Sequence, residues 1–372
     1  MLKKIIVVDH EPFSHRKEQH YYISDFENED VIFEYWQVNK ILQYSKNVKY
    51  NFLGNSSNIV EFESFKVFLE RTAMEDPSST LFIIEIWPTF QTYYFFRLLK
   101  NNNFNWIRID YYLNPDLILN NRESLNISCI SVRNFFSKFK NLVFRFFYNT
   151  MKKVFTPQIF FVTGENKSLV NLDTKIVSLD YFDIEEFLIK ENDPPILNFK
   201  YMVFLDGMIL DHPDYYRSKT TKNAVNREEF FDKLNNFFDE LEKLMNIPII
   251  IACHPKSNYN NEYRNRQLII NQTSNLVMNS TIVLTHGSLS IDFALMALKP
   301  IIYIDYKSFF ERIPFLKYLS NRMVNACNNL GSNYFDLEEF NLNNIKLEVD
   351  TAKFNKFLNL YYKKNNTESN YT

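Results

Sequence analysis

The sequence predicts an α/β protein built from two parallel-sheet domains that face each other across a cleft. Short apolar runs alternate with amphipathic helical patterns along most of the 372 residues, and this alternation is typical of βαβ units. A chain of this length favours two domains over one. The breaker Asp193-Pro194-Pro195 separates two patterned series, so we predict a first domain at 1–193 and a second at 196–350. A C-terminal helix and polar tail are expected at 351–372.

Strands and helices alternate in the first half. The apolar runs are rich in β-branched and aromatic residues, which favour strands. The predicted strands are Lys4–Val8, Val31–Glu34, Leu81–Glu85, Trp106–Asp110 and Ile159–Thr163, with helices at Ser64–Thr72 and Thr89–Leu99.

The second half contains three continuously apolar runs, IPIIIAC, TIVLTH and PIIYID. Such runs indicate strands that are buried on both faces of a parallel sheet. The predicted strands are Tyr201–Leu205, Pro248–Cys253, Thr281–Thr285 and Pro300–Asp305, with helices at Asn226–Met245, Gln272–Asn279, Ser288–Leu298 and Thr351–Tyr362.

Composition excludes several classes of function. The formal net charge of −2 gives no indication of a nucleic-acid partner. The five glycines are too far apart for a dinucleotide-binding fingerprint or a P-loop. The three cysteines show no CxxC spacing, which argues against a zinc site and fits a reducing compartment. We find no signal-peptide pattern and no apolar run of transmembrane length, and therefore expect a cytoplasmic protein.

Polar residues follow the predicted strands of the second half, where ligands of open α/β sheets bind. The first strand is followed by Asp206, and the next leads into His254-Pro255-Lys256-Ser257. A histidine there can donate to a phosphate or protonate a leaving group. A third strand leads into His286-Gly287-Ser288, with Ser290 close behind.

Free N–H groups at a helix start suit a phosphate, which is one interpretation of the segment 286–290. The other interpretation is purely structural, with Ser288 as an N-cap and Gly287 as a turn residue. For His254, the structural alternative is a ring satisfied by backbone carbonyls.

The segments IIIACHPKS and TIVLTHGSLSIDFALMALKPIIYID resemble the C-terminal half of GT-B glycosyltransferases of bacterial surface-polysaccharide synthesis. The resemblance covers roughly residues 199–306. It implies two Rossmann-like domains and activity without a required metal ion. Within that class, the His-Pro and serine motifs are similar to those of sialyltransferases and Kdo transferases, which use CMP-sugars. CDP-glycerol-type polymerases have a similar arrangement, so the donor remains open.

The resemblance also implies roles for individual residues. His254 contacts the donor phosphate and acts as an acid, while Ser288 or Ser290 holds the phosphate. Asp206 is similar to the catalytic carboxylate of an acidic-Gly motif. The remaining residues predicted to bind the nucleotide or its phosphates are Lys256, Ser257, His286 and Gly287.

The first half is expected to bind the acceptor. Asp9 and His10 end one predicted strand and Glu85 ends another, and a carboxylate there can remove a proton from an acceptor hydroxyl. Each is equally consistent with an ordinary polar strand end. The basic and aromatic stretch 133–153 suits either contact with an anionic membrane surface or packing on the first sheet.

The predicted function is sugar transfer from a nucleotide-sugar donor to a glycan or lipid-linked glycan, with no cofactor. We expect no metal, because no suitable DxD motif is present, and activity should persist in excess EDTA. The alternatives are a CDP-alditol phosphotransferase, an enzyme like UDP-GlcNAc 2-epimerase, and a catalytically inactive GT-B module that binds glycans or acts as a scaffold.

Overall fold

The computed structural model describes residues 2–13, 15–21, 23, 26, 30–42, 58–110, 154–164, 174–211, 226–255, 257–311 and 314–363. The basic stretch 133–153 and Lys256 lie outside the described residues. Within the described part of the chain, no helix combines the length and apolar character needed to span a bilayer. The chain divides into two compact units, with the change between Leu179 and Asp180.

The first unit contains a parallel sheet of seven described strands in the order β3-β2-β1-β4-β5-β6-β7. The strands are β1 Lys4–Asp9, β2 Ile32–Gln37, β3 Ile59–Glu61, β4 Thr80–Ile84, β5 Asn105–Asp110, β6 Ile159–Thr163 and β7 Lys175–Leu179. The helices are α1 His15–His20, α2 Asn39–Leu42, α3 Phe65–Ala73 and α4 Tyr93–Asn101. Every strand pair is parallel.

The second unit repeats this plan with six described strands in the order β10-β9-β8-β11-β12-β13, all parallel. Its strands are β8 Met202–Leu205, β9 Ile249–Cys253, β10 Leu268–Ile270, β11 Ile282–Thr285, β12 Ile301–Asp305 and β13 Asn333–Asp336. Its helices are α5 Phe182–Lys190, α6 Arg227–Met245, α7 Thr273–Asn279, α8 Ile291–Met296, α9 Lys307–Phe310, α10 Pro314–Leu330 and α11 Thr351–Tyr361, with a 3₁₀ turn at Leu342–Asn344.

The two parallel α/β units confirm the fold class predicted from the sequence, whereas the cleft between them stays a prediction. The predicted strands are present because their apolar runs are buried, as in β9 and β12, where every residue is buried. Four strands that the sequence did not indicate, β3, β7, β10 and β13, are three to five residues long and lie at sheet edges. Edge strands bury little surface, so their sequence carries a weak apolar signal.

The change between the units lies earlier in the chain than the predicted boundary at Asp193-Pro194-Pro195. The reason is helix α5, which packs against α7 and α8 of the second unit. The prolines therefore follow a helix that already belongs to this unit. Helix α11, expected as a separate C-terminal segment, packs against α8 and α10.

Aromatic side chains fill the core of the first unit. Trp36 is fully buried and meets Phe62, Phe68 and Phe82 edge-to-face, with ring centroids 5.2, 6.0 and 5.8 Å away. Edge-to-face contacts of this kind are favourable beyond the burial of apolar area. The contact with Phe82 joins β2 to β4, and β4 leads into the predicted site residue Glu85.

Helix α6 shows how local signals define an element of the second unit. The Asn226 side chain accepts a hydrogen bond from Glu229 N at 3.3 Å, and Glu228 and Glu229 lie in the positively polarised first turn. Asn246 ends the helix in the left-handed conformation, with φ of 54°. The buried face of α6, which includes Phe230 and Phe238, then covers the second sheet.

Candidate functional site

Both sheets reverse their strand order once, between β1 and β4 in the first unit and between β8 and β11 in the second. Ligands of open α/β sheets bind outside the carboxyl ends of the strands at such a switch point. Asp9 ends β1 and Glu85 follows β4, while Asp206 follows β8 and His286 follows β11. These four sequence-predicted residues therefore lie at the two switch points, whereas His254 follows the neighbouring strand β9.

Asp206 is a hydrogen-bonding hub at the switch point of the second unit. Its Oδ1 accepts from Met208 N at 2.9 Å, from the Tyr259 hydroxyl at 3.0 Å and from the Tyr263 hydroxyl at 3.1 Å. Its Oδ2 accepts a longer bond from His254 N at 3.4 Å. Burial raises the pKa of the Asp206 carboxyl, and these hydrogen bonds oppose the rise. The arrangement suits a residue that positions its neighbours.

His254 occupies the turn after β9. Ser257 N and the Ser257 hydroxyl both donate to the His254 carbonyl oxygen, at 2.9 and 2.7 Å. Together with the contact to Asp206, these bonds fix the backbone of His254, while the residue as a whole is half-buried. A histidine at such a strand end can present a proton to a phosphate, and this role of His254 stays a prediction.

In the turn after β11, a side-chain hydroxyl accepts hydrogen bonds from backbone N–H groups of the same turn. The Thr285 Oγ1 accepts from Gly287 N at 3.0 Å and from Ser288 N at 2.9 Å. These two N–H groups are therefore engaged within the turn. Helix α8 begins at Ile291 with Ser290 at its N-cap, three positions later than predicted. For Ser288 and Ser290, which are both half-buried, phosphate binding stays a prediction.

His286 lies inside the packing of the second unit, with only 4% of its surface exposed. Its Nδ1 donates to the Ile304 carbonyl oxygen at 2.7 Å, since a carbonyl can only accept. The ring packs against Phe204, Phe230 and Phe310, at centroid distances of 5.0, 5.6 and 6.1 Å. The predicted direct contact with a phosphate does not fit this enclosure, and the geometry gives His286 a packing role at the switch point.

The buried His286 predicts a measurable pH dependence of stability. Burial lowers the pKa of its imidazole from 6.5 to about 4, despite the hydrogen bond to Ile304. As the pH drops, the unfolded chain therefore takes up this proton at a higher pH than the folded protein does. The free energy of unfolding falls by about 3 kcal/mol as the pH drops from 6.5 to about 4. His286→Asn keeps a donor near the Nδ1 position but does not titrate. Urea unfolding at a series of pH values should show that this variant loses less unfolding free energy at acidic pH than the wild type does. An equal loss in both proteins would contradict the assignment to His286.

The backbone conformation and close neighbours of Gly287 predict that even an added methyl group destabilises the fold. Its φ is +86°, and a Cβ would lie 3.0 Å from Leu319 Cδ1 and 3.1 Å from Met323 Cγ. Strained backbone plus close contacts should make Gly287→Ala cost about 2–3 kcal/mol of unfolding free energy. Gly207→Ala is the matched control, because its Cβ would meet nothing within 4 Å and should change stability by less than about 0.5 kcal/mol. Similar losses in both variants, measured by denaturant unfolding, would refute the prediction.

Asp9 forms a buried ion pair at the switch point of the first unit. Its Oδ2 accepts from Lys17 Nζ and the Tyr35 hydroxyl, both at 2.7 Å, and its Oδ1 accepts from Glu11 N at 2.8 Å. Burial raises the pKa of Asp9, but Lys17 and the hydrogen bonds outweigh it and hold the pKa below its usual value. Asp9 is a charged anchor whose two oxygens are both engaged.

His10 links the two central strands of the first sheet. Its Nδ1 lies 2.9 Å from the Glu85 carbonyl oxygen and therefore carries the hydrogen in this contact. The neutral tautomer then has its lone pair on Nε2, the form that accepts a proton. The structure thus places Asp9, His10 and Glu85 close together, and their role in binding an acceptor stays a prediction.

No protein-family model matches this chain, and no curated protein sequence matches it. Among solved structures it is similar to UDP-GlcNAc 2-epimerase from Methanocaldococcus jannaschii, with a TM-score of 0.48 and 10% identity over 98% of this chain and 94% of that one. The wall teichoic acid polymerase TagF gives 0.45 and 14% over 82% and 71%. MurG from Acinetobacter baumannii gives 0.41 and 7% over 96% and 90%. All three TM-scores lie below one half, and all three identities are 14% or less.

Sequence reasoning missed the partners that hold the predicted residues. Tyr259 and Tyr263 follow the His-Pro motif at a spacing of four and both donate to Asp206. In the first unit, Lys17 and Tyr35 hold Asp9. The tyrosine spacing was visible in the sequence, whereas the contacts of Lys17 and Tyr35 depend on tertiary packing. Among the described residues, no group of three or more metal-ligating side chains forms a cation site.

Proposed function

We propose that this protein is a nucleotide-sugar-dependent glycosyltransferase that transfers a sugar to a glycan or lipid-linked glycan. One observation carries the proposal: His254 and Ser257 lie at the carboxyl edge of the second sheet, beside the switch point between β8 and β11. This is where an α/β sheet binds a nucleotide. A half-buried histidine at that edge has the chemistry to meet a phosphate leaving group.

The proposed reaction assigns His254 to the leaving group. The acceptor oxygen forms a bond to the anomeric carbon while the bond from that carbon to the donor phosphate oxygen breaks. The electron pair passes to the phosphate, and His254 donates a proton or hydrogen bond to the developing negative charge. Ser257, Ser288 and Ser290 are proposed as further donors to the phosphate.

The acceptor is assigned to the edge of the first sheet. There the reaction needs a base that takes the proton from the attacking hydroxyl. His10 is the proposed base, since Asp9 is already paired with Lys17 and its pKa is lowered. Glu85 is proposed to orient His10 through the carbonyl contact at 2.9 Å. A CMP-activated acidic sugar is one proposed donor.

A nucleotide panel tests the proposal most directly. CMP, CDP, UDP and GDP are added separately to the full chain, with AMP and inorganic phosphate as controls. One of the four should stabilise the fold, by about 2.7 kcal/mol at a hundredfold excess over Kd, and raise the melting temperature. No stabilisation by any of them would overturn the assignment and favour a non-catalytic module.

A product assay then separates transfer from epimerisation. The nucleotide-sugar that binds is incubated with the protein in the absence of an acceptor. A transferase leaves the sugar configuration unchanged under these conditions. A new epimer of the nucleotide-sugar would replace the transferase assignment with an epimerase.

A further inference from the structure

Trp87 differs in exposure from the other two tryptophans of the chain. Trp36 and Trp106 are 0% and 3% exposed, whereas 57% of Trp87 is exposed. Phe90, a few residues further along the same loop, is 50% exposed. Aromatic surface of this size, left in water beside a ligand-binding edge, suits contact with another molecule.

The position of Trp87 places it beside the acceptor edge of the first sheet. It follows β4 in the loop that begins with Glu85, whose carbonyl oxygen is bound by His10. Two residues of chain reach at most about 7 Å, so the backbone of Trp87 lies close to the switch point. An acceptor that meets His10 is therefore within reach of the indole.

Buried hydrogen bonds fix the loop that carries Trp87. The Thr92 hydroxyl is fully buried, donates to the Trp87 carbonyl oxygen at 2.9 Å and accepts from Thr89 N at 2.8 Å. Thr92 N in turn donates to the Thr89 hydroxyl at 3.1 Å. Because the loop is already ordered, a ligand that stacks on the indole loses little free energy to loop ordering.

A charged side chain lies against this indole. The Arg108 guanidinium lies 4.8 Å from the centroid of the Trp87 ring and 5.9 Å from that of Phe160, a geometry of cation–π attraction. It gives the site N–H donors directly beside an exposed aromatic ring. A pyranose ring has the matching chemistry, with one face of C–H groups and a rim of hydroxyls.

Charge disfavours an anionic membrane as the occupant. The Glu11 side chain is 44% exposed and lies 3.6 Å from Lys17 Nζ. Asp9, Glu11 and Glu85 outnumber the described cations of this edge, Lys17 and Arg108. Anionic headgroups attract lysine and arginine and are repelled by carboxylates. A neutral sugar meets no such repulsion.

From these contacts we infer that Trp87 is a stacking platform for a pyranose ring of the acceptor glycan, with Arg108 as a hydrogen-bond donor to its hydroxyls. The inference rests on the proposed glycosyltransferase function, because it assigns the acceptor side of that reaction. It identifies the acceptor as a carbohydrate chain.

The exposure difference provides the test, because acrylamide quenching of tryptophan fluorescence reports chiefly on Trp87. Chitotetraose, cellotetraose and maltotetraose serve as probes at millimolar concentration with the full chain. At least one should protect the fluorescence from quenching. Trp87→Ala should bind that probe about 10-fold more weakly by calorimetry, whereas Tyr94→Ala, at a position that is 62% exposed, should bind it as the wild type does.

Three results would overturn the inference: no probe protects Trp87, Trp87→Ala binds as tightly as the wild type, or only phosphatidylglycerol vesicles protect the fluorescence. The nucleotide-induced melting shift is measured on the same samples. This shift should be equal in the wild type and in Trp87→Ala, so it would persist even if Trp87 does not bind sugar. A missing shift in every sample counts against the glycosyltransferase function instead.

Discussion

His254→Ala is expected to lower kcat/KM for sugar transfer by about 10²–10³-fold, because the leaving phosphate loses its proton or hydrogen-bond donor. The fold should persist, since the residue is half-buried and its backbone bonds to Asp206 and Ser257 do not involve the imidazole. The measurement is initial-rate kinetics with the nucleotide-sugar identified by the binding panel. Circular dichroism and thermal unfolding verify that the variant is folded.

Two further variants sharpen this test. His254→Gln retains a hydrogen-bond donor but cannot transfer a proton, so it separates electrostatic stabilisation from acid catalysis. Asn258→Ala is the matched control, because Asn258 lies on the same loop and is exposed; its rate should stay within about twofold of wild type. A His254→Ala enzyme with near wild-type kcat/KM would remove His254 from the reaction.

Asp206→Ala is expected to lower the free energy of unfolding by about 2–4 kcal/mol. The change leaves the hydroxyls of Tyr259 and Tyr263 without their acceptor, together with Met208 N and His254 N. Tyr263 is itself only 2% exposed, so water cannot readily replace the lost partner. Chemical denaturation of the variant and the wild type measures the difference.

Asp206→Asn distinguishes positioning from catalysis. An asparagine retains one oxygen that can accept from the tyrosines and from Met208, but it cannot act as a base. If Asp206 positions the turn of His254, activity should fall less than about 10-fold and stability less than in Asp206→Ala. A folded Asp206→Asn protein with activity reduced by about 10³-fold or more would assign the catalytic carboxylate role instead.

The fold class could be predicted from the sequence because strands buried on both faces leave continuous apolar runs. The segments around β9, β11 and β12 show this signal clearly, and all three are fully buried. The point at which the chain passes from the first unit to the second could not be located from the sequence. Asp193-Pro194-Pro195 is a strong local signal for a break, but the preceding helix α5 belongs to the second unit because it packs against α7 and α8. Such long-range contacts define the units, and they leave no local sequence pattern.

The candidate site was predicted in part for the same reason. The positions of Asp9, Asp206 and His254 follow from which strands end there, and strand ends are visible in sequence. Whether a side chain faces solvent or packing is decided by neighbours from distant segments. The aromatic rings of Phe204, Phe230 and Phe310 enclose His286, although its motif looked like that of a ligand contact.

The sequence by itself determined two α/β units with polar groups at the carboxyl ends of their strands, because strand burial and strand ends are recorded in local patterns of residues. Only the tertiary structure decided which groups surround those polar residues. Asp9 and Asp206 accept hydrogen bonds from side chains of other segments, and Asp206 also accepts from the backbone of His254. These contacts join residues far apart in the chain, so they leave no local pattern in the sequence.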